Sequence, residues 1–306
     1  MREIIINTLN YRLYANEGLY EHDNELVITS YQGRGSTLKI PAQTSYEGRD
    51  YVIRGIGKKA FLGAAIREIE LPFTITDIDD WAFAQCDQLS KVVILRGVDN
   101  TGISFGRGVF SDCKRIQDIC IGDCTENSVS KLAGAIPHRL KAEYLLSDND
   151  FASEHWFAKW DTALLAMLDE DDVEGYTNIV LCGEEDIQRS LPEFIADKRK
   201  KKSALCLLRL LYDDNISELH RDKYTRYLNA HSKGSETEEA WEVILSDFGD
   251  SMEYYNLFAQ IGCITTDNID AMLTDMGEQH AEAKAYLIDY KQKNFGGGDI
   301  FSAFEL

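Results

Sequence analysis

The sequence predicts an α+β fold in two parts. The first is a β-solenoid of short repeats with an N-terminal β-hairpin cap, and the second is an all-α domain of stacked helical hairpins. A frame of apolar residues returns three times before residue 125, and beyond it apolar spacings of three and four replace strand-like alternation. The length of 306 residues suffices for two domains, which we place at 1–126 and 127–306.

Composition indicates a folded and acidic protein. Apolar residues make up 44% of the chain and charged residues 27%, so a sizeable core can form. The 32 Lys and Arg residues stand against 52 Asp and Glu residues, a formal net charge of −20. Such a surface repels nucleic-acid backbones and anionic lipid, so we expect no nucleic-acid partner. No apolar run reaches the roughly 20 residues that a membrane-spanning helix needs.

The repeats are centred on an Ala-Phe pair. Ala60-Phe61 recurs as Ala82-Phe83 after 22 residues and as Val109-Phe110 after a further 27. Three apolar residues in fixed spacing follow each pair, and these trios are Ile66/Ile69/Leu71, Leu89/Val92/Ile94 and Ile116/Ile119/Ile121. The last two members of each trio alternate, which places them on one face of a short strand. One unit cannot bury that face alone, so neighbouring units must stack.

The frame Ile-Gly-x-x-Ala-Phe, followed by Cys-x-x-Leu-x-x-Val-x-Ile, resembles the BspA-like leucine-rich repeat family of bacteria. Leu38-Lys39-Ile40-Pro41 and Leu71-Pro72 resemble its strand ends, and the resemblance covers residues 38–122. The first unit departs from the frame by carrying Ala64-Ala65 at the Cys-x step, and the third by carrying Val109-Phe110. The resemblance implies a leucine-rich repeat solenoid.

Residues 1–37 are predicted to form strands joined by turns. The strand patterns lie at Tyr11–Tyr14 and Glu25–Thr29, before the turn sequence Gly33-Arg34-Gly35-Ser36. The terminal unit of a solenoid must present a polar end, so we expect the β-hairpin cap here.

The remainder is predicted to be helical, with N-caps at Ser128, Asp150, Ser217, Ser235, Ser251 and Thr266. Apolar segments at 204–208, 241–245 and 284–288 lie about 40 residues apart, a spacing typical of two-helix HEAT, armadillo or ankyrin units. Residues 262–295 are similar to ankyrin-like helical ends of clostridial proteins, although no Thr-Pro-Leu-His signature occurs. The predicted helices are 128–136, 139–147, 151–168, 172–182, 185–197, 201–212, 217–230, 236–247, 251–261, 266–275 and 279–293.

Charge is shared unequally between the two parts. Residues 1–126 hold 14 basic and 18 acidic side chains, net −4, whereas residues 127–306 hold 18 and 34, net −16. We therefore expect a protein partner of the helical part to present a basic surface.

The residues that could act in catalysis or bind a metal do not form a recognisable motif. The seven cysteines are odd in number and dispersed, so we predict reduced and mostly buried thiols. Cys120 and Cys124 have a Cys-x3-Cys spacing that suits a metal or redox pair. No second pair of ligands follows at the spacing of a zinc site, however. The alternative is that Cys120 lies in a strand and Cys124 in a turn, with no shared role. No paired histidines, nucleophile elbow or phosphate-binding loop occurs. We predict no catalytic residue, metal or cofactor, and hence no enzyme.

The run Lys198-Arg199-Lys200-Lys201-Lys202 has two interpretations. It could contact RNA or an acidic partner, or it could be a solvated turn between two helices. The surrounding negative charge favours the turn.

The outward-pointing side of the repeat strands is the candidate binding surface. Alternation along the strands predicts that these positions are Glu68, Glu70, Lys91, Val93, Leu95 and Asp118, with Cys120 beside them. Exposed Val93 and Leu95 would form an apolar centre with a charged rim, as partner sites prefer. The alternative is that the helical domain covers them.

These features favour a non-enzymatic protein-protein interaction module or scaffold. We expect it to be cytoplasmic, because Ile4–Ile6 is too short for the apolar core of a secretory signal. The family resemblance implies an alternative, a bacterial surface or adhesion protein contacting host proteins. A third hypothesis, an enzyme housed in the helical domain, has no supporting motif.

Overall fold

In a computed structural model of the chain, residues 3–7, 11–17, 24–96, 102–122, 128–176 and 190–296 are described. They fall into two compact units, Met1–Ala163 and Leu164–Leu306, each of which is considered by itself. The domain boundary at 126/127 stays a prediction. Cys124, Cys182, most of the predicted helix at 172–182 and the tail from residue 297 lie outside the described residues.

The first unit is built on two sheets. Its strands are β1 (Glu3–Asn7), β2 (Tyr11–Glu17), β3 (Glu25–Gly33), β4 (Thr37–Lys39), β5 (Gln43–Tyr46), β6 (Arg49–Ile56), β7 (Glu68–Leu71), β8 (Asp77–Ile78), β9 (Lys91–Ile94), β10 (Ser104–Phe105) and β11 (Asp118–Ile121). One sheet has the order β1-β2-β3-β6-β8-β10 with β5 paired to β6, and the other has the order β11-β9-β7-β4. From β6 to β11 the chain alternates between them, and the solenoid pairs are parallel. The predicted solenoid is confirmed.

The N-terminal cap is an antiparallel meander of β1, β2 and β3. Its core face carries Ile4, Ile6, Leu13 and Ala15, all buried. Strand β3 then pairs in parallel with β6, which joins the cap to the repeats. The predicted β-hairpin cap is confirmed, and β1 is an additional strand that the turn signals did not reveal.

The recurring Ala-Phe pairs place a column of stacked rings inside the solenoid. The centroids of Phe61 and Phe83 lie 4.9 Å apart and those of Phe83 and Phe110 lie 5.7 Å apart, with nearly parallel planes. Tyr31 of the cap extends the column to Phe61 at 5.3 Å. Each ring is therefore packed by the ring of the next repeat, which links repeats that are far apart in sequence.

Cysteine at the repeat position three residues after phenylalanine has a structural role. The thiol of Cys86 donates a hydrogen bond to the carbonyl oxygen of Phe61 at 3.1 Å, and that of Cys113 donates to Phe83 at 3.0 Å. Both side chains are fully buried. A small apolar residue with a weak donor fits this position, since it fills the coil and satisfies a carbonyl of the preceding repeat.

Helix α1 (Ser128–Ala135) packs on β11 in the same unit. Gly134 permits the contact, because a Cβ there would lie 2.3 Å from the carbonyl oxygen of Gln117. In place of the predicted helix at 139–147, the chain forms a π-helical segment (Ile136–Leu140) and a 3-10 turn (Glu143–Leu146). Lys141 between them takes a left-handed conformation with φ 55°, which ends the first segment.

Helix α2 (Glu154–Asp169) is tied to these segments by its tryptophans. The Trp156 indole donates to the carbonyl of Leu145 at 3.0 Å, and the Trp160 indole donates to that of Leu132 at 3.2 Å. Both rings are completely buried. Each ring therefore gains apolar burial while its N–H group stays hydrogen-bonded.

The described part of the second unit is all-α, as predicted. Its helices are α3 (Leu191–Leu211), α4 (Glu218–Ala230), α5 (Glu239–Asp247), α6 (Met252–Gln260), α7 (Ile269–Asp275) and α8 (Ala281–Asn294). Helix α3 packs against α4, α5 and α6, while α8 packs against α6 and α7. Ser217 caps α4 as predicted, and Ser190 begins α3 with a capping box that the sequence interpretation missed. The HEAT- or ankyrin-like resemblance of this part stays a prediction.

The basic run 198–202 lies inside α3, so its interpretation as a turn between two helices is wrong. The Lys198 ammonium contacts the carbonyl oxygen of Asp171 at 2.7 Å, and Arg199 pairs with Asp172 at 2.6 Å. Lys202 is 2% exposed and lies 2.8 Å from Asp172. The acidic segment 170–174 thus neutralises these cations, which allows one continuous helix to pass through them.

Candidate interaction surface

The four-stranded parallel sheet aligns equivalent residues of successive repeats. One buried row runs Leu38, Ile69, Val92 and Ile119. The opposite side of the sheet carries two rows, which are Thr37, Glu68, Lys91 and Asp118, and Lys39, Glu70, Val93 and Cys120. Register therefore brings the predicted surface residues together on one side of the sheet. We call Lys39, Glu68, Glu70, Lys91, Val93 and Leu95 the strand face.

The strand face combines charged residues with an apolar centre. Glu68 is exposed, whereas Glu70, Lys91 and Val93 are half-buried. Lys39 pairs with Glu70 across adjacent strands at 2.6 Å. Leu95 is 37% exposed at the carboxyl end of β9. An apolar centre beside charged residues is the arrangement that protein interfaces use.

Asp118 does not belong to this exposed surface, and the prediction that it points into solvent is wrong. It is 7% exposed, because helix α1 covers the last strand. Ser130 donates to one carboxylate oxygen at 3.0 Å, and the Lys131 ammonium lies 2.8 Å from the other. Asp118 therefore anchors α1 to the sheet.

Phe73 is an exposed aromatic side chain just beyond the end of β7, and the sequence prediction did not include it. It follows Leu71-Pro72 at the carboxyl end of β7 and is 54% exposed. Leu95 follows the end of the neighbouring strand β9, where its amide donates to the carbonyl oxygen of Leu71 at 3.0 Å. The available signal was a large aromatic directly after the strand-ending Leu-Pro pair.

Cys120 is buried on β11 and disulfide-bonded, so the prediction that all seven cysteines are reduced is wrong for this residue. Dispersed spacing could not reveal it, because a disulfide depends on which sulfurs the fold brings together. Cys124 lies outside the described residues, so the Cys-x3-Cys pair has no described geometry.

The other described thiols are buried. Burial raises the pKa of Cys206, and burial raises the pKa of Cys263 to about 12. A protonated thiol is a poor nucleophile and a poor metal ligand. Within the described ranges no group of three or more His, Cys, Asp or Glu residues is placed to hold a metal ion.

His231 is a half-buried histidine of the second unit. Its Nδ1 lies 2.5 Å from the Thr237 hydroxyl and 3.6 Å from a carboxylate oxygen of Glu239. Burial lowers the pKa of His231, which favours the neutral ring despite the opposing charge of Glu239.

The helices give no sign of a membrane span. In the ranges that the structure describes, none is both long enough and apolar enough to cross a bilayer.

The family model for BspA-type leucine-rich repeat regions matches residues 50–133. This range contains the strands of the three repeats and reaches into helix α1. No curated protein matches the sequence.

Three solved bacterial structures resemble part of the chain. A leucine-rich repeat protein from Bacteroides capillosus is 25% identical, covers 40% of this chain and 86% of its own, and has a TM-score of 0.32. A leucine-rich cell surface protein of Faecalibacterium prausnitzii is 26% identical, covers 39% of this chain and 31% of its own, and has a TM-score of 0.31. The T. pallidum leucine-rich repeat protein is 22% identical, covers 37% of this chain and 53% of its own, and has a TM-score of 0.29.

All three TM-scores are below 0.5, so the identification depends on the family match and on the repeat geometry described above. Residues 50–133 of this chain are therefore a BspA-type leucine-rich repeat region.

Proposed function

We propose that this chain is a non-enzymatic protein-interaction module whose strand face, together with Phe73, binds a protein partner. The observation that carries the proposal is the alignment of half-buried Val93 and exposed Leu95 on the side of the parallel sheet opposite its buried rows, with exposed Phe73 just beyond the end of β7. Buried rows on the other side hold these strands in place, so the surface is formed before a partner arrives. Repeat solenoids commonly use such surfaces for binding.

Charge supports a partner with a basic surface. Residues 127–306 carry a net charge of −16, and the basic run in α3 is paired with carboxylates of its own unit. The negative field would speed association with a basic protein and oppose binding of nucleic acid.

The test is capture of a partner from a lysate of the source bacterium with the whole chain as bait. Val93→Glu/Leu95→Glu places two carboxylates at the centre of the strand face. Leu62→Glu is the control, because Leu62 is also exposed but lies in the turn after Phe61. Both variants are first checked for an unchanged circular dichroism spectrum and melting temperature.

We expect the parent and Leu62→Glu to retain the same partner and the double variant to lose it. A partner held equally by all three chains would show that the strand face is not the binding surface.

The second candidate function is a surface protein that contacts host proteins, and the disulfide at Cys120 favours it. Disulfides persist mainly in oxidising compartments such as the cell surface. The test is acid quenching of whole cells and alkylation of the denatured protein, which exposes the buried Cys120, followed by reduction and a second alkylating label. Cys120 should carry only the second label if the protein is outside the cytoplasm. Labelling of Cys120 in the first step would favour the cytoplasmic module.

A further inference from the structure

The outer edge of strand β1 is open in the described structure. There β1 pairs only with β2, and it ends the seven-stranded sheet. Proteins protect such an edge with charged side chains, above all lysine, with proline or with a bulge. Strand β1 contains no lysine or proline, carries its one charge at its first residue, Glu3, and pairs with β2 without a bulge. This edge therefore offers backbone hydrogen-bonding groups to another strand.

We propose that β1 pairs antiparallel with β1 of a second copy of this chain, with Ile5 on the two-fold axis. Two seven-stranded sheets then become one continuous sheet. In this register Ile4 lies opposite Ile6 of the second copy, and Glu3 lies opposite its Asn7. No strand-face residue takes part, so the dimer is independent of the proposed function.

The core side of the two sheets matches in this register. Ile4 lies beside Ala15 of its own chain, and Ile6 lies beside Leu13. Pairing Ile4 with Ile6 of the second copy therefore gives a continuous row of four apolar residues across the junction. β-Branched side chains directly opposite one another stabilise antiparallel pairs.

The solvent side matches as well. Ile5 is 40% exposed and lies beside Tyr14, so the central row reads Tyr14, Ile5, Ile5 and Tyr14 across the two copies. The flanking row places Glu3 near Asn7 of the second copy, which lies beside Arg12 of that copy. No like charges face each other at the junction, and opposite charges lie two strands apart.

Other antiparallel registers fit less well. A shift by one residue would place the core side of one copy against the solvent side of the other, because side chains alternate. A shift by two would leave only three facing pairs within β1 and would place Glu3 opposite Ile5, or Asn7 opposite Ile5. The register centred on Ile5 is thus the one in which all five residues of β1 pair with a residue of the same character.

The first test is sedimentation velocity of the whole chain from low micromolar to submillimolar concentration. We expect a reversible dimer in the parent. Ile5→Lys puts two ammonium groups at the axis and should weaken association by about tenfold or more. Ile288→Lys is the matched control, because Ile288 is 43% exposed, and it should leave association unchanged. A parent that stays monomeric, or a dimer that Ile5→Lys does not weaken, would overturn the proposal.

The second test measures the register by disulfide cross-linking. Residues directly opposite in an antiparallel pair have Cα atoms about 4.5–5.5 Å apart, within reach of a disulfide. Ile5→Cys should therefore form a covalent dimer on mild oxidation, above the background of the parent. Asn7→Cys alone should not, since two copies of this position lie about 14 Å apart. A mixture of Glu3→Cys and Asn7→Cys chains should cross-link.

Asn7→Cys chains that cross-link as readily as Ile5→Cys chains would refute the register. A heterologous strand bound at the same edge would instead give no self-association and no Ile5→Cys dimer, which also overturns the proposal.

Discussion

Replacing Phe83 by leucine tests whether the column of stacked rings holds the repeats together. Phe83 is fully buried and packs against Phe61 at 4.9 Å and Phe110 at 5.7 Å. Each aromatic pair contributes about 0.5–1.5 kcal/mol beyond the burial of area. Loss of both pairs, with the smaller side chain left in a close-packed site, should cost about 2–3 kcal/mol of unfolding free energy.

The assay is urea unfolding of the whole chain, followed by amide hydrogen exchange of peptides from β7 and β9. Phe73→Leu is the control, because the same change at an exposed position should cost less than about 0.5 kcal/mol. A cycle of Phe61→Leu, Phe83→Leu and the double variant should give a coupling energy of about 0.5–1.5 kcal/mol.

Two results would contradict a stabilising role for the column of rings. If Phe83→Leu and Phe73→Leu lower the free energy of unfolding equally, a ring of the column contributes no more to stability than an exposed ring. A coupling energy of zero would mean that the repeats do not stabilise one another through these rings.

Three further predictions concern the backbone and one histidine. Gly134→Ala should destabilise the first unit by about 2–3 kcal/mol in a thermal melt, because the new Cβ would clash with the carbonyl oxygen of Gln117. If helix propensity alone mattered, the same change would stabilise the protein by about 1 kcal/mol. Gln85→Gly should raise the free energy of unfolding in urea by about 0.5 kcal/mol. Gln85 has a left-handed φ of 61°, and the equivalent position of the preceding repeat is Gly63. An unchanged midpoint of urea unfolding would contradict this prediction. Burial lowers the pKa of His231, so the unfolded chain binds its proton more readily and stability should fall as pH drops below about 6.5. His231→Asn should show a smaller fall between pH 7.5 and pH 5.5 in urea titrations; equal falls would exclude this residue as the cause.

The solenoid could be predicted from periodicity because every repeat buries the same set of positions in a shared interior. The trio ending in Val92 and Ile94 and the pair Ala82-Phe83 must face a common interior, so their spacing repeats in the sequence. The same alternation placed Glu68, Glu70, Lys91 and Val93 on the other side of the sheet, where the structure has them.

Helix boundaries were less predictable where distant charges decide them. The run at 198–202 was interpreted as a solvated turn between two helices, because a block of cations suits the carboxyl end of a helix in a negatively charged domain. The turn is absent because segment 170–174 supplies carboxylates and carbonyl oxygens to Lys198, Arg199 and Lys202. Those partners are more than 20 residues away, which no local pattern shows.

Local sequence patterns were sufficient to predict a capped repeat solenoid, a helical remainder, and the side of each strand that faces the core. What covers the other side depends on contacts between segments that are distant in sequence. Helix α1 buries Asp118, whereas Leu95 and Phe73 are exposed and Val93 is half-buried. Alternation of apolar residues reflects the burial of one strand face, which every repeat shares. The elements that cover the opposite face occur only once in the chain, so no repeating pattern reveals them.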